Sequence, residues 1–189
     1  MTTGPPEPVT RRLGLRRRRT DDRPALAVLN ADPDVMAFLP APSAPAESDG
    51  LADRLARRLE AGPLGRGAVE APGVARLVGL TGRAPVDFEA PFTPAVEIGW
   101  PRARPVGGRG DAAEGATAGL GATVGCLGLD QVVSGTSVGH RRSWAVMARL
   151  GMVHDPAEDF EHPGLAEGHR LRRHVRDRID AGRWAVVGR

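Results

Sequence analysis

The amino-acid sequence predicts a mixed α/β fold built as one domain. In the second half of the chain, runs with strand periodicity alternate with segments of helical periodicity, which is the pattern of a mixed class. The chain has 189 residues, enough for one domain with a substantial core but short for two. No internal repeat is found, so we expect one domain over residues 9–189, preceded by a Pro-rich disordered tail over residues 1–8.

The first half of the chain predicts an edge strand and two helices. Apolar residues alternate in VTRRLGLRRRR, as in a strand with one buried face. Thr20 precedes two aspartates and predicts the N-cap of a helix that carries Leu26 and Leu29. The segment APSAPAESDG is interpreted as a linker, and a second helix is expected from Glu47, with leucines spaced four apart on one face.

The second half predicts further strands and two more helices. Strand patterns occur in GAVEA, VARLVGLTG, TPAVEIGW and DQVVSGTSV. An Ala/Gly segment over 111–127 predicts a helix whose four glycines each cost about 1 kcal/mol relative to alanine, unless they let it lie close to the sheet. RRSWAVMARLGM predicts a helix that ends at Gly151, with Met152 making the apolar contact typical of such a stop. The segment HRLRRHVRDRIDAGRWAVV is expected to be extended.

Composition narrows the classes of function. Every strong base is arginine, but the net charge is only +3, and no aromatic platform accompanies the arginine runs, so we expect no nucleic-acid partner. Cys126 is the only cysteine, which excludes an intrachain disulfide and fits a reducing compartment. No apolar run approaches the ~20 residues of a membrane helix, and the first residues lack the pattern of a secretory signal. We therefore expect a cytoplasmic protein without a membrane partner.

The histidines near the C-terminus do not predict a metal site. His154, His162, His169 and His174 show no helical pair with a spacing of four, and no second cysteine joins Cys126. We expect no bound metal.

The segment GGRGDAAEG, residues 107–115, is the strongest candidate for a binding site. Glycines directly before a helix let the backbone approach an anion, and the first N–H groups of a helix carry a partial positive charge. A pyrophosphate could be held by the N–H groups of Gly108, Arg109, Gly110 and Ala112, with Arg104 or Arg109 as a cation. The alternative is a glycine turn capped by Asp111, whose carboxylate would weaken anion binding.

Five segments together give the chain a resemblance to the GNAT superfamily of acyl-CoA-dependent N-acetyltransferases. TRRLGLRRRRTDD resembles the first strand and turn of the branch that contains the ribosomal-protein N-terminal acetyltransferases, and LNADPDVMAFLP is similar to its short second helix. FEAPFTPAVEIGW resembles its substrate-side loop and fourth strand, GRGDAAEGA its acyl-CoA motif, and SVGHRRSWAVMARLGM its later strand-to-helix element. The resemblance implies a single GNAT-like domain with a central, mostly antiparallel mixed sheet flanked by helices.

The resemblance also implies a reaction. Acetyl-CoA would be the co-substrate, and a primary amine, on a protein N-terminus or a small molecule, would attack the thioester directly. The chain would act as a monomer or homodimer. Glu97 is the candidate base, or alternatively a partly buried carboxylate paired with an arginine. Ser143 is the candidate acid for the leaving thiolate, and His140 and Ser143 are candidates for contact with the pantetheine arm.

Several positions depart from the family pattern. Many members use a tyrosine as general acid, and this chain has none. Gly107, Asp111 and Gly135 occupy positions where an aromatic residue is usual. A second hypothesis is therefore a catalytically weakened protein of the same fold that binds acyl-CoA as a sensor or scaffold.

Overall fold

The computed structural model describes residues 7–100 and 111–188. Eight strands in this part of the chain form one sheet: β1 (Gly14–Arg16), β2 (Arg66–Ala71), β3 (Ala75–Pro85), β4 (Val96–Gly99), β5 (Gln131–Ser137), β6 (Val153–His154), β7 (Phe160–Glu161) and β8 (Arg173–Asp180). Six α-helices accompany them: α1 (Arg23–Ala31), α2 (Pro33–Met36), α3 (Pro45–Ala61), α4 (Asp111–Leu127), α5 (Arg141–Arg149) and α6 (Ala181–Val187).

The sheet is mixed and mostly antiparallel, as predicted. Its strand order is β1-β2-β3-β4-β5-β8-β6, and β7 also pairs with β8. Among these strands, β4 and β5 pair in parallel and the other pairs are antiparallel. The single parallel contact lies in the middle of the sheet, where two antiparallel halves meet.

Helices cover both faces of the sheet. On one face, α4 and α5 pack against a buried cluster of Ile98, Ala116, Leu120, Val132, Val146, Met147, Leu150, Met152 and Ile179. On the other face, Leu26 of α1 and Ala52 of α3 pack on Ala68 and Leu77. Adjacent residues of one strand face opposite layers, as in Ala68 and Val69, which follows from the two-residue period of a strand.

The helix α4 faces the sheet at Gly119. A Cβ atom on Gly119 would be 3.4 Å from Thr81 Oγ1 and 3.9 Å from Ile98 Cδ1. Ala116 and Leu120, which lie near Gly119 in the same helix, are completely buried. Burial of this face offsets part of the helix-propensity cost of the glycines.

Two predicted helix starts were wrong. The helix α3 begins at Pro45, inside the predicted linker, because Pro45 occupies the first helical position and the Glu47 carboxylate accepts a hydrogen bond from Ala44 N at 2.7 Å. Thr20 makes no side-chain cap. It begins a short 3₁₀ turn, Thr20–Asp22, after which α1 starts at Arg23.

The end of the chain was predicted partly wrongly. The extended segment is β8, but it stops at Asp180, whose side chain accepts a hydrogen bond from Arg183 N at 2.7 Å and caps α6. The stop after α5 is confirmed: Gly151 has φ +74°, and Met152 N donates to Met147 O at 3.1 Å while the Met152 side chain joins the core.

None of the helices in the described ranges combines the length and apolar character needed to cross a membrane.

Candidate functional site

The candidate site lies where β4 and β5 run in parallel. In this pairing Glu97 of β4 lies opposite Val133 of β5. Two side chains fix the backbone of β4 here: Ser134 Oγ donates to the carbonyl of Ile98, and Thr81 Oγ1 donates to that of Gly99, each at 3.0 Å. Because β4 ends at Gly99, the last residues of β5 extend past it.

The helix α4 begins directly after the predicted anion loop. Its first residue is Asp111, and Ala112 in its first turn is half-buried against the core cluster. The loop residues Arg104, Gly108, Arg109 and Gly110 lie outside the described residues. The first N–H groups of α4 have no partner within the helix, so this terminus can accept an anion.

Glu97 forms an ion pair with Arg66 of β2, through Arg66 Nη2 and Glu97 Oε1. The two side chains are 30% and 29% exposed, so the pair is accessible to solvent and to a substrate. The sequence left two roles open for Glu97, a base or a carboxylate paired with an arginine. The structure supplies the arginine, which contacts Oε1 of Glu97; among the described residues, Oε2 has no hydrogen-bond donor.

Two glycines lie close to Arg66 in the sheet. Arg66 pairs with Gly82 across β2 and β3, and Gly82 pairs with Gly99 across β3 and β4, so the three residues point to one face of the sheet. A Cβ atom on Gly99 would lie 3.3 Å from Arg66 Nη2. Gly82 has φ +144°, and a Cβ atom there would be 2.2 Å from the carbonyl oxygen of Gly65. Gly99 therefore gives room to the guanidinium, whereas Gly82 is required by the close approach of the backbone at Gly65.

Ser143 is buried at the start of α5 and is joined to the end of β4. The indole N–H of Trp100 donates to Ser143 Oγ at 3.2 Å, and Ser143 is only 6% exposed. Trp100 also packs against the core cluster of α4 and α5. This contact fixes the first turn of α5 beside the parallel junction.

His140 precedes α5 and connects it to α2. Its ring stacks on Phe38, with centroids 4.1 Å apart and planes 9° apart, and Nδ1 lies 3.0 Å from Thr136 Oγ1. Burial lowers the pKa of His140 below its ordinary value, and the charge of Arg142 acts in the same direction. The imidazole is therefore neutral at neutral pH.

An aromatic cluster borders the face that carries Glu97. Its members come from the loop before β4 and from the strands and loops around β8: Phe88, Phe92, Phe160, His162 and His174. Gly135 of β5 is exposed, and a Cβ atom there would be in ordinary contact with the Phe160 ring, 3.7 Å away. An aromatic ring from a distant strand thus lies beside the position where the sequence has glycine.

Sequence reasoning missed four contributors to this region. Arg66 and Phe38 are distant in sequence from their partners, Glu97 and His140, and no local pattern signals either contact. Trp100 was visible as the last apolar residue of the β4 pattern, but its hydrogen bond to Ser143 was not. Phe160 had no signal, because it lay in what the sequence presents as a polar loop.

The chain belongs to the GNAT family of acetyltransferases. A family model described as an acetyltransferase (GNAT) domain matches residues 12–153, which include β1 through the start of β6. An acetyltransferase from Agrobacterium tumefaciens str. C58 is 25% identical and superposes with a TM-score of 0.71, over 92% of this chain and 94% of that one.

Two further structures share the fold at lower identity. Spermidine N-acetyltransferase from Vibrio cholerae, in complex with CoA and spermine, is 17% identical with a TM-score of 0.73, over 93% of this chain and 99% of that one. Mycobacterium smegmatis RimJ, in complex with CoA-disulfide, is 19% identical with a TM-score of 0.68, over 94% of this chain and 90% of that one.

Proposed function

We propose that the chain is an acetyl-CoA-dependent N-acetyltransferase that acetylates a primary amine on a protein N-terminus or a small molecule. Two neighbouring features carry the proposal. Glu97 lies where β4 pairs in parallel with β5, opposite Val133, and the next helix along the chain, α4, starts after a glycine-rich segment. Membership of the GNAT family supports the same reaction class.

Acetyl-CoA would bind at the N-terminus of α4. Unpaired N–H groups there, including that of Ala112, suit the pyrophosphate, and the predicted contributions of Arg104, Gly108, Arg109 and Gly110 complete the anion site. The pantetheine arm would then pass the end of β5 and the start of α5, where Ser143 and His140 lie. The hydroxyl of Ser137 in this region is buried and has no hydrogen-bond partner among the described residues, which leaves it available to a ligand.

The amine would attack the thioester carbonyl carbon, so that a C–N bond forms and the C–S bond breaks. Glu97 takes the ammonium proton, directly or through one water, on the face of β4 that it shares with Arg66. The thiolate leaves with a proton from solvent, or from Ser143, which regains one from solvent, and the nitrogen of the new amide releases its remaining extra proton to solvent. Departure of the thiolate needs little assistance, because a free thiol has a pKa of about 8.5.

The acceptor amine would approach over the face of the sheet that carries Glu97. The aromatic cluster of Phe88, Phe92, Phe160, His162 and His174 forms one boundary of that face. Aromatic faces attract ammonium groups, so this surface suits a cationic amine with an apolar neighbour.

A second candidate function is a non-catalytic acyl-CoA sensor of the same fold. The observation that favours it is the ion pair itself, because Arg66 occupies one oxygen of the carboxylate that a base would need. A sensor of this kind binds acetyl-CoA and does not turn it over.

Release of free thiol from acetyl-CoA in the presence of an amine panel tests the proposal. We expect amine-dependent thiol release that Glu97→Gln reduces. Glu70→Gln is a matched control, because Glu70 is also paired with an arginine of a neighbouring strand and is 30% exposed. Acetyl-CoA binding without amine-dependent release would identify a sensor, and equal activity of both variants would exclude Glu97 as the base.

A further inference from the structure

A cavity lined by arginines lies between the β1–α1 connection and α3, on the helix layer formed by α1 and α3. Its volume is about 240 Å³. The lining residues are Arg17, Arg18, Arg19, Thr20, Asp22, Arg23, Leu26, Ala52, Ala56, Leu59 and Glu60. None of them belongs to the candidate acetyl-transfer site. We call it the arginine cavity.

The arginine cavity combines a cationic rim with an apolar floor. The floor consists of side chains from the inner faces of α1 and α3: Leu26, Ala52, Ala56 and Leu59. Four arginines from the connection and the start of α1 supply the rim. Such a combination suits an anionic group attached to an apolar body, rather than a bare inorganic ion.

Arg18 has unsatisfied hydrogen-bonding capacity. Its Nη2 donates to the carbonyl of Ala52 at 2.8 Å, while its Nε–H is buried and has no acceptor within the described ranges. No carboxylate in those ranges forms an ion pair with Arg18. Burial lowers the pKa of the Arg18 guanidinium from its ordinary value, although the charges of Asp22 and Asp53 act in the opposite direction.

The acidic residues of the cavity are bonded to groups other than the Arg18 guanidinium or lie at the edge of the cavity. The Asp22 carboxylate is held by Arg16, whose Nη1 and Nη2 donate to it at 2.8 and 2.9 Å, and by Arg19 N at 2.7 Å. Glu60 lies at the exposed edge. Arg23 is paired outward with Asp53 and Asp49. Asp22 and Asp53 therefore act on Arg18 only at a distance, and no carboxylate in the described ranges is hydrogen-bonded to its guanidinium.

We propose that the arginine cavity binds a small organic oxyanion, a carboxylate or phosphate monoester carried on an aromatic or short aliphatic body. The oxyanion accepts hydrogen bonds from Arg18 and its neighbours on the rim, and the apolar body packs on Ala56 and Leu59. Size supports this class, because a cavity of about 150 Å³ holds a benzene ring. This site is separate from the acetyl-CoA site and does not depend on catalytic activity.

Benzoate is a suitable probe, with benzyl alcohol as an uncharged control of similar shape. We expect saturable one-to-one binding of benzoate in calorimetry, together with a shift of the Arg18 Nε–H resonance in NMR spectra. Benzyl alcohol should bind at least about tenfold more weakly, because charge-assisted hydrogen bonds to guanidinium are lost.

Three variants locate the probe. Arg18→Gln should weaken benzoate about tenfold or more. Ala56→Phe, which fills the floor without changing the charge, should abolish binding even if Arg18→Gln proves unstable. Arg54→Gln makes the same charge change on the exposed side of α3 and should leave the dissociation constant within about twofold. Absence of a saturable Arg18 shift, equal binding of benzyl alcohol, or retained binding in Ala56→Phe would overturn the proposal.

Discussion

Arg66 of β2 forms an ion pair with Glu97 of β4 across the intervening strand, over two positions that lack side chains. Gly99 leaves room for the Arg66 guanidinium, and Gly82 leaves room for the backbone at Gly65. The ion pair links Glu97, the candidate base, to β2 on the far side of β3. The orientation of the Glu97 carboxylate therefore depends on residues that take no part in the reaction.

Replacement of the carboxylate should impair catalysis more than folding. We expect Glu97→Gln to lower kcat/KM by about 10²-fold or more at neutral pH, the usual effect of removing a general base. The deficit should shrink as the pH rises past the amine pKa of about 8, because solvent then deprotonates the acceptor. Initial rates of thiol release between neutral and alkaline pH measure both effects.

The free energy of unfolding of Glu97→Gln should fall by less than ~1 kcal/mol, since the pair is about one-third exposed. Glu70→Gln provides the comparison for a carboxylate in a similar pair. A deficit in kcat/KM that stays constant with pH would argue that Glu97 positions substrate and does not accept the proton.

Substitutions at Gly99 and Gly82 should affect different properties: the orientation of the ion pair at Gly99 and the stability of the fold at Gly82. In Gly99→Ala the new methyl group meets the flexible end of Arg66, so we expect displaced Arg66, altered kcat/KM and a small change in stability. In Gly82→Ala it meets the backbone at Gly65 in a strained conformation, so we expect a loss of about 1–3 kcal/mol or more. Denaturant unfolding and steady-state kinetics on both variants distinguish these outcomes, and equal stability losses would contradict the assignment.

We expect the hydrogen bond between Trp100 and Ser143 to contribute more to stability than to catalysis. Ser143→Ala leaves the indole N–H without its acceptor, and we expect a loss of about 1–3 kcal/mol in unfolding free energy. Because the thiolate leaves readily, kcat should fall by less than about tenfold. Trp100→Phe removes the donor instead, and the double variant measures the coupling between the two groups. Losses that add completely in the double variant would show that the contact contributes nothing.

The half-buried histidines should make the protein less stable in acid. Burial lowers the folded-state pKa of both His140 and His174 below the ordinary value of about 6.5. The unfolded chain then binds protons that the folded chain does not, so unfolding free energy should decrease as the pH falls below about 6.5. Asp177, whose pKa burial raises, contributes with the opposite sign from about pH 4 upward.

Imidazole NMR titrations resolve these contributions residue by residue. Midpoints of His140 and His174 below 6.5 are expected. His140→Gln should also reduce the slope of unfolding free energy against pH below 6.5. A His140 midpoint at or above 6.5 would contradict the burial of its ring between Phe38 and Thr136.

The spacing between α4 and the sheet limits the size of the side chain that position 119 can hold. Gly119→Ala places a Cβ atom at ordinary contact distance from Thr81 and Ile98, so the gain in helix propensity should raise stability by up to about 1 kcal/mol. Gly119→Leu overfills the same space and should cost about 1–3 kcal/mol. Thermal unfolding of the two variants checks the opposite signs, and a stabilising leucine would show that α4 lies farther from the sheet.

Local signals made much of the fold predictable from the sequence. Alternation around Glu97 located β4, and Gly151 with Met152 located the end of α5, because each pattern acts within a few residues. The start of α3 was missed although Pro45 and Glu47 carry a helix-start signal, since the surrounding Ala, Pro and Ser residues are equally typical of a linker.

The candidate site was predictable in location but not in its contacts. Glu97, His140 and Ser143 could be singled out by type and by resemblance. The partners Arg66 and Phe38, and Phe160 beside Gly135, depend on strand register and on helix packing between distant segments. A single sequence carries no record of such pairings, because they are fixed by burial of the whole sheet and not by local propensity.

Calorimetric titration with acetyl-CoA, with CoA as a second ligand, tests whether the chain binds the co-substrate of the proposed reaction. We expect one-to-one binding of both ligands with dissociation constants in the micromolar range, as expected for a helix N-terminus and glycine loop that hold a pyrophosphate. Absence of binding at millimolar concentrations of either ligand would contradict both the proposed acetyltransferase and the sensor of the same fold.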